Sequence, residues 1–263
     1  MQRHAAGKSM TGEKAAATFG WRVYGIGIIA LALICLVWGD FNGGQPVPKA
    51  FPARTELAYA MAIFMLVAGV AIEWRKTTAL AAAALTAYYA IVVVALMGGH
   101  LILRYPAMYM VYSSTAEQLA IAAGGLIVYA AHAGIDDALA ARLMRLGRIA
   151  FGICAILFGG AHFAYMNMTA PLVPQWLPPN QVFWGYATGI FHIAGGIAIL
   201  TGIRARLAAI LLTVMYALFT PLALVPELVA TPSFFAWSEN ATNLVLVGVA
   251  WVVADSLAWT RRS

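Results

Sequence analysis

Eight long apolar runs alternate with short polar segments along this chain, at 21–38, 56–73, 77–98, 116–134, 147–165, 182–201, 205–225 and 239–258. Each is near the roughly 20 residues a helix needs to cross about 30 Å of hydrocarbon. The apolar positions run continuously instead of alternating, and Ala and Leu are abundant, which predicts helices and not membrane strands. The fourth run is the weakest of the eight, being rich in Ala and Gly. The predicted fold is an all-α membrane protein of about eight transmembrane helices. The first 20 residues are polar and basic. They read as a cytoplasmic tail, because the apolar run behind them lacks the small-residue cleavage site of a signal peptide.

Composition strengthens this reading. Of 263 residues, 63% are hydrophobic and 10% are charged, against roughly a quarter charged in ordinary soluble domains. The formal net charge is +6, and its distribution follows the membrane. With an inside N-terminus and eight crossings, Arg3, Lys8, Lys14, Arg22, Arg75, Lys76, Arg142, Arg145, Arg148, Arg204, Arg206, Arg261 and Arg262 face the cytoplasm. Lys49, Arg54 and Arg104 face outward, while the ten acidic residues divide evenly. Basic residues biased to one side and acidic residues unbiased are what the positive-inside rule describes. The expected location is a bacterial inner membrane, multi-pass, with both termini cytoplasmic. The lipid bilayer is then the partner the charge pattern implies, and nucleic acid is not.

The runs also suggest an internal duplication. VPKAFP at 47–52 matches VPQWLP at 173–178, and each precedes a Gly-bearing run, a short basic turn and an Ala/Leu-rich run. WGDF at 38–41 falls opposite GAHF at 160–163, and EQLAIAAGG at 117–125 opposite TNLVLVGVA at 242–250. The organisation this predicts is a tail (1–20), a first four-helix repeat (21–134), a cytoplasmic linker (135–146) and a second four-helix repeat (147–260). Four crossings per repeat give both the same orientation, related by an axis along the membrane normal.

FGGAHF at 158–163, the Pro-rich PLVPQWLPP at 171–179, TGIFHIAGGIAIL at 188–200 and IRARLAAILL at 203–212 together resemble the DoxX-like membrane family. The first half resembles a diverged copy. The His192 position is often acidic in such families, and in the first half Asp40 stands opposite His162 and an apolar residue near Leu66 opposite His192. The resemblance implies a link to sulfur or thiol oxidation, quinones and redox homeostasis.

Ionisable groups at membrane depth are costly and usually face the bundle interior. His192 lies about ten residues into its run, near the midplane at about 1.5 Å per residue. Gly185, Gly189 and Gly196 share its face, marking a helix contact. The bland alternative is a histidine hydrogen-bonded to a neighbouring helix. His162 shares a face with Ala155, Phe158 and Gly159, about 9 Å nearer the outer surface by helical rise. That gap argues against a shared metal and for two ends of a quinone-sized ligand, with imidazole able to hydrogen-bond a carbonyl and relay a proton.

The surrounding Tyr165, Trp176 and Trp184 complete a candidate ligand site, although an interfacial aromatic belt explains such residues equally well. Glu239 could pair with a histidine or cap the last helix, and capping is the simpler role. His162, Met166 and Met168 offer an imidazole–thioether set suited to Cu(I), against which 11 methionines make chance clustering the competing explanation. Cys35 and Cys154 form no CxxC and read as small buried hydrophobes. The leading expectation is a redox-associated subunit binding quinone in the outer half of the second repeat, next to a membrane or peripheral redox partner. A non-catalytic anchor of a larger complex and a small-solute transporter are the alternatives.

Overall fold

A computed structural model of the protein describes residues 19–259. The basic residues Arg3, Lys8, Lys14, Arg261 and Arg262 lie outside the described residues, as does nearly all of the tail. The described chain is all-helical, with no strand. Eight long helices follow in order: α1 (Gly20–Trp38), α2 (Arg54–Glu73), α3 (Thr78–Arg104), α4 (Tyr109–His132), α5 (Asp137–Ala164), α6 (Gln181–Thr201), α7 (Ala205–Ala230) and α8 (Phe234–Trp259). All but α4 are long and apolar enough to cross a membrane. Largely exposed apolar side chains such as Leu80, Leu103 and Val229 cover their outer faces, which suits lipid and not water.

α4 carries less of the apolar signal because Glu117 and Gln118 interrupt an Ala- and Gly-rich run. It packs on α3, α5 and α8, half of its 24 residues are buried, and its small residues let these neighbours come close. Gly124 and Gly125 show the consequence: a Cβ at Gly124 would stand 2.7 Å from Val249, and one at Gly125 would stand 2.6 Å from the Thr86 hydroxyl.

The helix ends follow local chemistry. α1 and α6 stop at Gly39 and Gly202, both in the left-handed conformation that favours glycine at a helix C-terminus. Asp136 caps α5 by accepting from the Ala138 and Leu139 amides, so the segment read as a linker, 135–146, is helical from Asp137 onward. Asn180 caps α6 through the Phe183 amide. Both α3 and α7 contain a π-helical stretch, Tyr88–Gly98 and Thr220–Leu224. In α7 this follows from Pro221, which has no N–H to give and cannot continue the regular ladder.

Arg22 pairs with Glu73 at 3.3 Å, joining the start of α1 to the end of α2. Arg206, at the start of α7, lies within electrostatic reach of Asp255 near the end of α8. Arg54 pairs with Asp40 at the opposite end of the bundle.

Buried positions recur at fixed spacing. The buried residues of α2 are Ala58, Ala62, Met65, Ala68, Gly69 and Ile72. Those of α6 are Gly185, Gly189, His192, Gly195, Gly196 and Ile199, each 127 positions later. The same spacing relates Thr78, Ala82, Leu85 and Tyr89 of α3 to Ala205, Ala209, Leu212 and Tyr216 of α7. In α4 and α8, Gln118 falls opposite Asn243, as the aligned motifs predict. In α1 and α5, Ile28 falls opposite Phe151 and Leu31 opposite Cys154. Helix contacts are reciprocal too: α1 packs on α8, α5 packs on α4, and α4 and α8 meet at the centre. One sequence pairing moves by one residue: the α1/α5 spacing sets Gly39, not Asp40, opposite His162, while the apolar residue near Leu66 that stands opposite His192 is Met65. Motifs in loops do not register such one-residue shifts, whereas buried faces do.

Candidate functional site

Glycine determines how closely α5 and α6 approach. A Cβ on Gly159 would stand 2.6 Å from the Gly189 carbonyl, and one on Gly196 would stand 2.5 Å from the Gly152 carbonyl. With no side chains between them, the two helices come near backbone contact. His162 on α5 and His192 on α6 are thereby brought together, with ring centroids 5.3 Å apart and planes inclined by 33°.

This corrects the expectation that a gap of about 9 Å separates them and that a ligand spans it. Side chains in a helix tilt toward its N-terminus. Because α5 and α6 run in opposite directions, His162 leans one way along the bundle axis and His192 leans the other. The two tilts close the gap that helical rise alone implies.

Thr188, one turn before His192, links the pair. Its hydroxyl lies 3.1 Å from His162 Nδ1, and its backbone carbonyl lies 2.8 Å from His192 Nδ1. A carbonyl can only accept, so His192 carries its proton on Nδ1, and Nε2 is the acceptor of the neutral ring. The Thr188 hydroxyl is also 2.8 Å from the Trp184 carbonyl. When its proton goes there, it accepts from His162; when the hydroxyl turns, it donates to His162. The Gly185 carbonyl interacts with the His162 ring as well.

His192 is almost wholly buried, within an aromatic cage. Phe158 meets it edge-on at 6.1 Å, and Tyr216 and Phe219 lie at 5.4 and 6.2 Å. Asn243 of α8 reaches into the same region, donating to the Tyr216 carbonyl at 2.8 Å and to the Thr220 hydroxyl at 2.9 Å. It thus holds the backbone where Pro221 interrupts the α7 ladder. The Tyr216 hydroxyl is buried without a partner.

A cavity of about 750 Å³ opens between α6 and α7, and His162, Thr188 and Trp184 form part of its wall. Leu207, Leu211 and Leu218 of α7 line its length, and Arg204 stands at the far end. Its lining is apolar apart from His162, Thr188, Thr169 and Arg204.

The other candidates separate from this centre. Trp176 is exposed and lines a second cavity of about 570 Å³ with Glu227. Tyr165 turns away, its hydroxyl accepting from the Met110 amide at 2.8 Å. Glu239 sits in the second turn of α8 and is not its cap; Ser233 serves there, accepting from the Ala236 amide. The charges Glu239 meets are those of Glu117 and Glu227. Met166 packs against α6 at Gly185, while Met168 is exposed. Residues two apart on a helix do not share a face, so the His162–Met166–Met168 trio is not assembled. Cys35 and Cys154 are both buried and unpaired.

Tyr216 and Phe219 belong to the site without any motif to announce them, while Phe158 and Thr188 stand in the motifs FGGAHF and TGIFHIAGGIAIL without having been singled out as site residues. Thr188 had one available signal, its position four residues before His192 on the same helical face.

A family described as a domain of unknown function, DUF8561, matches residues 151–254. That segment contains every residue of the histidine cage. No curated protein and no solved structure matches the chain.

Proposed function

We propose that the protein is a DoxX-like, redox-associated subunit of a bacterial inner membrane, binding a quinone in the cavity between α6 and α7. The observation that carries this reading is the His162–Thr188 pair in the wall of an otherwise apolar cavity. A quinone needs one polar contact for its ring oxygen and a long apolar channel for its tail. The leucine face of α7 supplies the channel, and the opening toward lipid gives the tail a route of entry.

The Thr188 hydroxyl both accepts and donates, so it can support either tautomer of His162, while the Gly185 carbonyl favours the one whose N–H meets it. One tautomer offers an N–H to a quinone carbonyl, and the other offers a lone pair to a quinol hydroxyl. His192 stacks behind His162 and fixes the orientation of its ring.

The reading extends to the whole chain. It takes α4 as an eighth crossing, both termini as cytoplasmic, and the molecule as two parallel four-helix repeats. The recurrence of buried positions at fixed spacing and the reciprocal helix contacts support the duplication. The arrangement of Arg22, Arg75, Lys76, Arg204 and Arg206 at one end of the helices supports the orientation.

The test uses full-length protein in lipid nanodiscs with a photoreactive, isoprenoid-tailed quinone. Crosslinks are expected on the cavity face of α6 and α7, reduced by at least about tenfold in Thr188→Val and His162→Phe, because a site built for a hydrogen bond is left unpaired. Crosslinks spread evenly over all lipid-facing helices, and unchanged by either substitution, would refute the site.

A further inference from the structure

The first four helices contain a polar centre of their own, at positions that correspond to the histidine cage. Met65 stands where His192 does, Tyr89 where Tyr216 does, and Gln118 where Asn243 does. Here, however, the chain after α1 turns inward. Phe41, Asn42 and Gln45 are all at least 95% buried. Asn42 holds this loop by accepting from the Gly44 amide at 2.9 Å, and Gly44 lies directly against the Gln118 amide group. Gln45 Nε2 and the Tyr89 hydroxyl both point at the Met65 sulfur, at 3.7 and 3.3 Å.

Seven buried side-chain polar atoms among the described residues have no hydrogen-bond partner, and five of them gather here. They are Asn42 Nδ2, Gln45 Oε1, Gln118 Oε1, Tyr88 OH and Ser238 Oγ. Contacts connect them. Tyr88 stacks edge-on with Tyr89 at 5.1 Å, the Asn42 backbone hydrogen-bonds Cys35, and Ser238 follows by one turn Phe235, which meets Gly43. Buried polar groups in proteins are overwhelmingly hydrogen-bonded, and leaving one unmade is costly. Five orphans in one region are therefore the mark of a shared small partner.

We propose that these residues form a binding site for water, a hydrated chamber centred on the first four helices, to which α8 adds Ser238, and which has no counterpart around the histidine pair. The chemistry fits molecules with both O–H donors and lone pairs: one free amide donor, two free amide acceptors and two hydroxyls of either role. Water in such sites makes about three hydrogen bonds to groups that would otherwise be unsatisfied. The chamber also explains why loop 39–46 can bury two carboxamides at membrane depth.

X-ray radiolytic labelling of the full chain in nanodiscs tests the proposal, because hydroxyl radicals generated from bound water oxidise the side chains beside it. Met65 and Met144 are equally buried, at 1% and 2% exposure, but only Met65 adjoins the chamber. Labelling of Met65 is expected to exceed that of Met144 by about tenfold, as a wet site demands. Equal labelling of the two would overturn the proposal. Gln45→Leu gives an independent readout in thermal melts. In a hydrated chamber it lowers Tm by stripping water of a partner; in a dry one it raises Tm by deleting the orphaned Oε1 at the small cost of a weak contact to the Met65 sulfur, and a raised Tm would also count against hydration.

Discussion

The two sets of four helices have the same buried frame, yet one polar centre is sealed and the other is open. In the first, loop 39–46 folds down onto Met65 and closes the space with its own carboxamides. In the second, residues 166–172 make a short helical turn instead, and His162 and Thr188 line a cavity between α6 and α7. The crossings differ as well. α5 and α6 meet through Gly152, Gly159, Gly189 and Gly196, whose counterparts in α1 and α2 are Ile29, Leu36, Ala62 and Gly69. The crossing that lacks three side chains lets two imidazoles stack; the other keeps Ile29, Leu36 and Ala62. The comparison teaches that an accessible site arises here from what was removed between helices and from where one loop lies, with the frame itself unchanged.

Closing the gap at the glycine crossing should have the largest effect. Gly159→Leu restores the residue type of Leu36, but its first carbon alone would collide with the Gly189 carbonyl and the His192 Cβ. Overpacking typically costs 1–3 kcal/mol, and this case is expected to reach about 3 kcal/mol or more, because backbone cannot step aside. Thermal melts in detergent measure it, and loss of quinone crosslinking should accompany it. A fully stable Gly159→Leu protein would mean that the α5–α6 contact is not tight.

Thr188→Val should act more gently on stability. It removes the hydroxyl beside His162 while keeping the carbonyl that holds His192, for an expected loss of about 1 kcal/mol. The same substitution at the counterpart, Met61→Val, touches no histidine and should leave ligand crosslinking unchanged. A greater stability loss at position 61 than at 188 would dissolve the contrast between the two centres.

The smallest effect, and the most discriminating in sign, comes from the paired tyrosines. The Tyr216 hydroxyl is buried and unpartnered, whereas the Tyr89 hydroxyl meets the Met65 sulfur. Tyr216→Phe should raise stability by up to about 1 kcal/mol, since it deletes an unsatisfied group. Tyr89→Phe should lower it by about 0.5 kcal/mol, the loss of a weak hydrogen bond to sulfur. Denaturation of both variants side by side reads the difference.

Much of this frame was legible in the residues. Run length and continuity marked the helices, and their observed bounds extend the predicted ones mainly where polar or Ala-rich turns continue an apolar run, as at Asp137 and Tyr109. His192 could be aimed inward because Gly185, Gly189 and Gly196 shared its face. Its nearness to His162 could not be read, because linear rise ignores the opposite tilt of side chains on antiparallel helices. Nor could the burial of Asn42 and Gln45, since Asn, Gly and Gln after a helix look like any exposed turn.

The sequence by itself determined which segments are helices, where most of them end and that His192 faces inward. Those properties depend on periodicity, capping and hydrophobicity, all of which are local along the chain. Only tertiary structure decided that His162 touches His192, that Thr188 bridges them, and that one polar centre borders a cavity while its counterpart is covered by a loop. Such outcomes depend on the separation of helices far apart in sequence, which is set by the absence of a few side chains at their crossings and by the path of a single loop.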